Sequence, residues 1–303
     1  MRKGKRFTPR LIKKWEEKLD RGEGVLESYI PWHQITRSDP SSRGRSHLLY
    51  CGKTKNNRHL LSDNENAVYG FTLMLNNAVD IREQYKLEIE PHMNALSRYS
   101  VSSSKYILVG TIIICQQLGI KHPILKNSGE SEYWRFSTDI LITVKTEENT
   151  FKLLAISIKD SAELTSKRTC NLLRVEKSYW EYEKADWLLI TEKCYSRHVR
   201  DTIIRVMPWV NHPKQIDSSI KLRCTELCNS FHGKTVKYAT SLIAEKLNVN
   251  LDEAILIFWQ SVWSGLIPID LSISRFVSDK ITMISIAQFW SQNPIVARRS
   301  ACL

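Results

Sequence analysis

A chain of 303 residues with 44 Lys and Arg against 32 Asp and Glu has a formal net charge of +12, which favours polyanionic partners, nucleic acid before an anionic membrane. No apolar run reaches the length of a membrane span, and the basic stretch Met1 to Lys14 has no apolar segment behind it, which excludes a secretory signal. Seven cysteines, odd in number and scattered, exclude a disulfide framework and leave a cytoplasmic protein as the expectation.

In chain order, Pro9 to Arg21 reads as a basic amphipathic helix with Leu11, Trp15 and Leu19 on one face. Trp32 to Asn57 is polar, basic and loop-like; within and just after it, Arg43, Arg45, Lys53, Lys55 and Arg58 are candidates for phosphate contact. His33, His47 and His59 read as surface or phosphate contacts rather than catalytic bases. Ser62 to Asn77 is predicted helical, and Val79 to Glu88 reads as a strand bearing Arg82, Glu83 and Gln84. Ser104 to Leu118 fits either a strand or a buried helix, with Gly119 suited to end the latter.

Next come two alternating runs, Ser137 to Lys145 and Lys152 to Lys159, joined by the polar turn Thr146 to Thr150. A turn centred near Asn149 would set Asp139 opposite Lys159 on one sheet face. A helix over about Ser166 to Lys184 and a strand over Trp187 to Thr191 follow, giving a mixed α/β sheet flanked by helices. Beyond Ser196 the pattern is mainly helical. Thr235 to Leu247 and Leu251 to Ser264, joined by a short Asn-containing turn and followed by Ile267-Pro268-Ile269, resemble a winged helix-turn-helix. Two domains are expected, 1–195 and 196–303. Cys224, Cys228 and His232 have the spacing of one helical face, but with no fourth ligand nearby they read as a packed thiol stripe.

Glu65, Asp139 and Lys159 form the constellation that would carry chemistry. Phosphodiester hydrolysis needs charge neutralised at the phosphate and a hydroxide near neutral pH, and one or two divalent cations supply both. Mg²⁺ prefers oxygen donors and retains several waters, so Glu65, Asp139 and the main-chain carbonyl of Ile158 would suffice. Lys159 would orient or activate the attacking water and stabilise developing charge. Taken singly, each residue also has an ordinary explanation. Ser62-x-x-Glu65 is a capping box, and Asp139 with Lys159 is a cross-strand ion pair worth about 0.2–1 kcal/mol.

The surrounding words are more specific. Tyr29-Ile30-Pro31-Trp32, Gly44-Arg45-Ser46-His47, Leu60-Leu61-Ser62-Asp63-Asn64-Glu65, Asp80-Ile81-Arg82-Glu83-Gln84-Tyr85, Gly119-Ile120-Lys121-His122-Pro123, Ser137-Thr138-Asp139 and Tyr179-Trp180 occur in this order. Over about Tyr29 to Thr191 the chain thereby resembles the TnsA family, the endonuclease subunits of heteromeric cut-and-paste DNA transposases. The resemblance implies a restriction-endonuclease-like catalytic domain in a bacterial protein that cuts the 5′ ends of a transposon. It implies Mg²⁺, with Mn²⁺ as a substitute, as cofactor. The implied partners are double-stranded DNA, a DDE-type transposase subunit and an AAA+ ATPase regulator, with no membrane. By position it makes Glu65, Asp139 and Lys159 the catalytic residues. The chain departs from the family pattern at Ser157, where the family often has Gln and related nucleases an acid; a serine hydroxyl would be a weaker metal ligand. A non-catalytic DNA-binding adaptor and a stand-alone restriction-type nuclease are the competing readings.

Overall fold

The structure is a computed structural model that describes residues 7–37, 39–40, 44–52, 54–99, 105–273 and 276–303. Helix α1 (Pro9–Leu19) starts at Thr8, whose hydroxyl accepts from the Leu11 amide, and has proline at its first position. Its buried residues include Ile12 and Trp15, packed with Trp32, while Leu19 is exposed, so the apolar stripe is rotated from the expected one. Strands β1 (His47–Cys51) and β2 (Asn56–Leu60) form a separate antiparallel pair. Helix α2 (Asp63–Thr72) is shorter than predicted, and strand β3 (Ala78–Lys86) follows it.

The ambiguous stretch resolves into both alternatives. The short strands β4 (His92–Met93) and β5 (Ile107–Leu108) pair, and helix α3 (Thr111–Gln117) follows, with Gly119 just beyond its end at φ +64°, where a side chain would be strained. Strands β6 (Ile124–Asn127) and β7 (Glu130–Tyr133) make a small hairpin. Strands β8 (Ser137–Lys145) and β9 (Phe151–Ile158), helix α4 (Lys167–Tyr182) and strand β10 (Asp186–Ile190) complete the main sheet.

That sheet has the order β10-β9-β8-β3. β9 and β10 are parallel, joined through α4, and the other pairs are antiparallel. One face carries Ile140, Ile142, Leu154 and Ile156 against α2 and helix α5 (Arg197–Val210). The opposite face carries Leu141, Leu153 and Ala155 against α3 and α4. This is an α/β fold with a mixed sheet covered by helices on both sides, consistent with the restriction-endonuclease-like expectation.

The remaining chain forms α6 (Ser218–Thr225), α7 (Val236–Leu247), α8 (Leu251–Trp263) and α9 (Ile286–Ser291). Asn248, at φ 54°, ends α7, and Asn250 caps α8 by accepting from the Glu253 amide. Two isolated antiparallel bridges, Thr235 with Lys280 and Ile269 with Met283, tie the following segment back to this helix pair. Phe231, Ile243, Phe258 and Val262 belong to the same hydrophobic core as the α2 face of the sheet. The two parts of the chain approach closely at Gly70 of α2, where an added Cβ would sit 2.3 Å from Ile203 Cγ2 of α5. Among the described residues no helix is long and apolar enough to cross a membrane.

Two expectations are corrected here. Ile140 pairs with Ile156 and Lys145 with Phe151, so the loop of residues 146–150 is centred on Glu148, and Asp139 falls opposite Ser157, not Lys159. Asn149 is the residue at positive φ (61°), which marks the turn but not its midpoint. Cys224, Cys228 and His232 do not share a helix: α6 ends at Thr225, Cys228 begins a short 3-10 turn ending at Ser230, and His232 lies beyond it.

Candidate active site

The site is built where the β3–β8 ladder is interrupted. Ile81 pairs with Ile142, Arg82 with Leu141 and Glu83 with Ile140, and pairing resumes at Tyr85 with Thr138. The skipped residues are Gln84 and Asp139. Gln84 has φ 49°, an uncommon conformation for a residue with a side chain. Its carbonyl accepts from the Trp32 amide, and its side-chain amide donates to Glu65 Oε2 at 3.0 Å.

Glu65 stands in the first turn of α2. Ser62 Oγ accepts from the Glu65 amide at 3.1 Å, which is one half of a capping box. The other half is altered: Glu65 Oε2 accepts from the amide of Leu61 at 2.8 Å, and the Ser62 hydroxyl lies 3.3 Å from Oε1. The cap therefore fixes the carboxylate and leaves it beside Asp139. Asn64, next to Glu65, accepts from the Tyr195 hydroxyl at 3.0 Å and bonds to Asp160, which ties this end of α2 to the segment after β9.

Asp139 Oδ2 accepts from the Ile158 amide at 2.6 Å and from Lys159 Nζ at 3.0 Å. Lys159 thus reaches Asp139 diagonally across the ladder, and its ammonium also donates to the Ile158 carbonyl at 2.8 Å. Its own backbone amide donates to Ile190 O of β10, which anchors it to the parallel pair. The structure therefore brings Glu65, Asp139, Lys159 and the Ile158 carbonyl together.

Sequence reasoning missed a third carboxylate. Glu176 of α4 is 6% exposed, and its Oε1 accepts from Ser157 Oγ at 2.6 Å and Thr138 Oγ1 at 2.7 Å. Trp187 Nε1 donates to Ser157 Oγ and Trp180 Nε1 to Thr138 Oγ1, so two indoles orient the two hydroxyls that hold Glu176. Ser157 itself is fully buried, with its hydroxyl engaged on both sides. The Ser157 hydroxyl thus donates to Glu176 and accepts from Trp187, which leaves its oxygen one further lone pair. The signal available in the sequence was an acid within the apolar stripe Val175, Tyr179, Trp180 of a helix, where a charge needs a reason.

The electrostatics are unbalanced. Burial, and then the neighbouring Asp139, push Glu65 up to about 8. The same two causes in the same order push Glu176 up to about 7. Burial alone would lower Lys159, but Asp139, Glu176 and Glu65 outweigh it and hold its ammonium above the usual lysine range. Among the described residues three carboxylates share one ammonium, an excess of two negative charges when all are ionised (3 − 1 = 2). The all-oxygen donor set and its excess negative charge fit a hard divalent cation. Among the described residues no group of three or more His, Cys, Asp or Glu side chains forms a ready-made metal cage, so such an ion would keep part of its water.

The expected phosphate contacts divide. Arg45 and Lys55 are exposed, Lys55 with a surface ion pair to Glu27 at 3.3 Å. Arg43 and Lys53 lie outside the described residues. Arg58 is corrected: it is fully buried, with Nη1 2.8 Å from Glu83 Oε2 and a further bond to Thr54, so it cannot reach a phosphate. His33 is half-buried, packed among Phe7, Trp15, Trp32 and Trp134, and desolvation pulls it down to about 4. His59 Nδ1 accepts from the Ile35 amide, and His47 Nε2 lies 2.7 Å from Asp63.

Glu65 of α2, Asp139 of β8 and Lys159 just past β9 converge where the β3–β8 ladder is interrupted, and residues 76–192 match the family of TnsA-like endonuclease N-terminal domains. The matched segment contains Gln84, Asp139, Ser157, Lys159 and Glu176 and begins after Glu65, which joins the site through geometry. The Transposon Tn7 transposition protein TnsA of Escherichia coli is 32% identical over 186 residues, 61% of this chain and 58% of that protein. The chain thus spans somewhat more than half the length of this curated relative, and the two matches support its assignment to the TnsA family.

Proposed function

We propose that this chain is the DNA endonuclease subunit of a transposase, a divalent-metal-dependent phosphodiester hydrolase that cuts at the 5′ ends of a transposon during cut-and-paste transposition. The observation that carries the reading is the 3.0 Å contact of Lys159 Nζ with Asp139 Oδ2 beside the held Glu65 carboxylate. Asp139 and Glu65 would hold the ion, with the Ile158 carbonyl as neutral donor and Mg²⁺, replaceable by Mn²⁺, as the metal. When bound, a divalent cation supplies charge neutralisation at the scissile phosphate and eases deprotonation of the attacking water.

The chain's own residues do the rest. Lys159 stays an ammonium, so its role is to stabilise charge on the phosphate and to orient water, not to remove a proton. Gln84 and the Leu61 amide fix Glu65. Glu176 supplies the acid missing at Ser157, delivered from the neighbouring helix. Double-stranded transposon ends would be the substrate, with a DDE-type transposase subunit and an AAA+ regulator as partners. Residues 196–303, with α7 and α8 as the helix pair of a winged helix, would serve partner or DNA contact. The setting is the bacterial cytoplasm.

The decisive variant is Asp139→Asn in the reconstituted complex, followed by nicking of a labelled transposon-end duplex. Loss of 5′-end cutting with an unchanged circular-dichroism melt is expected; cutting that survives would sink the endonuclease reading. Cutting of arbitrary DNA by the isolated chain would point to a stand-alone nuclease instead.

A further inference from the structure

A cleft of about 640 Å³ opens between the segment Gly119 to Lys126 and the first turns of α4. Among the described residues four cations line it, Lys121, Lys126, Lys167 and Arg168, and no carboxylate does. None of the four has a carboxylate at ion-pair distance among the described residues. The acids of the adjoining hairpin are turned elsewhere. Glu132 is paired in register with Leu125, on the side facing α1, and holds Arg135, while Glu130 lies 3.7 Å from Arg10. The floor is rigid: His122 is bonded to Thr111 Oγ1 at 3.1 Å and packed edge-on against Tyr133 and Phe136. All four cations are exposed. They come from two separate parts of the chain, so their convergence is a product of the fold.

Two cations in the first turn of a helix, with no acid there, oppose the helix dipole unless an anion covers them. The position is also informative. α4 runs back along the sheet from the Lys159 end, and Lys167 precedes Glu176 by nine residues (176 − 167), about 13 Å of helix at 1.5 Å per residue. That length corresponds to about four base pairs of duplex at 3.4 Å each. Phosphates flanking a scissile bond held at Asp139 fall within this range.

We propose that this cleft binds the phosphodiester backbone of duplex DNA a few base pairs from the cut, and so sets the register of the strand presented to Asp139, Lys159 and Glu176. The proposal rests on the endonuclease reading, but its readout is binding and not cutting. The experiment uses the full chain in the Asp139→Asn background, a short fluorescent duplex of arbitrary sequence and a salt titration of its anisotropy. For the variant Lys121→Ala, Lys126→Ala, Lys167→Ala, Arg168→Ala, the slope of log affinity against log salt should shrink by about 0.9 for each phosphate no longer neutralised, and affinity should fall at least about tenfold. The pair Lys145→Ala, Lys152→Ala, at the far end of the β8–β9 hairpin, should change neither beyond a small general charge effect.

Lysine acetylation followed by mass spectrometry provides a check that does not depend on the variant's fold. Lys121, Lys126 and Lys167 should be protected by duplex DNA. Unchanged slope and affinity in the four-site variant, or no protection by duplex, overturns the proposal. Equal protection by polyglutamate at matched charge also overturns it, in favour of an acidic protein partner. If Asp139→Asn still cuts while the cleft variant loses binding, the nuclease reading fails and the cleft stands.

Discussion

Strand β3 runs through two clusters of buried charge that differ in one respect. In the first, Arg58 meets Glu83 and Arg82 meets Asp80, two cations against two anions, all with fully buried side chains. In the second, beginning one residue later at Gln84, Glu65, Asp139 and Glu176 meet, among the described residues, Lys159 alone. The first cluster is balanced in charge within the protein, and its Arg58–Glu83 pair ties β2 to β3. The second is complete only when something positive joins it. Burial of charge by itself therefore does not mark a site; an unmatched surplus of one sign does.

Variants can break this contrast. The largest effect is expected from Arg58→Ala, which strands Glu83 in the interior; removing one partner of such a pair costs about 3–5 kcal/mol, readable by urea denaturation. The same measurement on Glu65→Gln at about pH 9, where the Glu65 carboxyl is ionised, should show no loss, or a gain, in the absence of divalent ions, because it removes a repelling charge. If both variants destabilise alike, the two clusters are of one kind. Next in size, Lys159→Ala should lower the rate of end cutting by about 10²–10³-fold, the range seen when one preorganised charge-stabilising donor is removed, with DNA binding retained.

Glu176→Gln sharpens the assignment of the third carboxylate. The Mg²⁺ concentration giving half-maximal cutting should rise about 10–100-fold, as for loss of a ligand-orienting partner, while Ser157→Ala shifts it less. An unchanged Mg²⁺ requirement would reduce Glu176 to a buried hydrogen-bond acceptor. A further test concerns pH. Glu65 and Glu176 titrate higher in the fold than in the unfolded chain, so the folded state holds extra protons between their ordinary value of 4.5 and about 7 to 8. Their contribution to stability is full below 4.5 and is lost as pH rises through about 8. Thermal melts in EDTA should therefore decline from about pH 5 to about pH 9, and Mg²⁺ should flatten the decline. A melt in EDTA that rises with pH over that range contradicts the raised carboxyls.

Much of this was legible in the sequence because alternation and capping are local. The runs Ser137 to Lys145 and Lys152 to Lys159 became β8 and β9 nearly residue for residue, and Ser62 marked the start of α2. What failed was non-local. The pairing is two residues away from the one a turn centred on Asn149 implies, because the ladder closes at Lys145 with Phe151 and puts the midpoint at Glu148. Asp139 and Lys159 still met, since a lysine side chain spans the diagonal. Arg58 looked like one more basic residue near a polar stretch; only the packing of β2 on β3 reveals that Glu83 waits for it. Glu176 was invisible because its place beside Ser157 depends on how α4 lies across the sheet. Arg82, Glu83 and Gln84, which pattern could not separate, proved to divide between the two clusters.

Gly70 has a consequence of a mechanical kind. With no side chain there, α5 lies against the flank of α2 so closely that Ile203 fills the space a methyl group would take. The helix that holds Glu65 at its first turn is thus wedged, about one and a half turns on, by the first helix of the C-terminal region. α2 acts as a strut shared by both halves of the chain. A load applied to α5 is borne by the same strut that carries the glutamate.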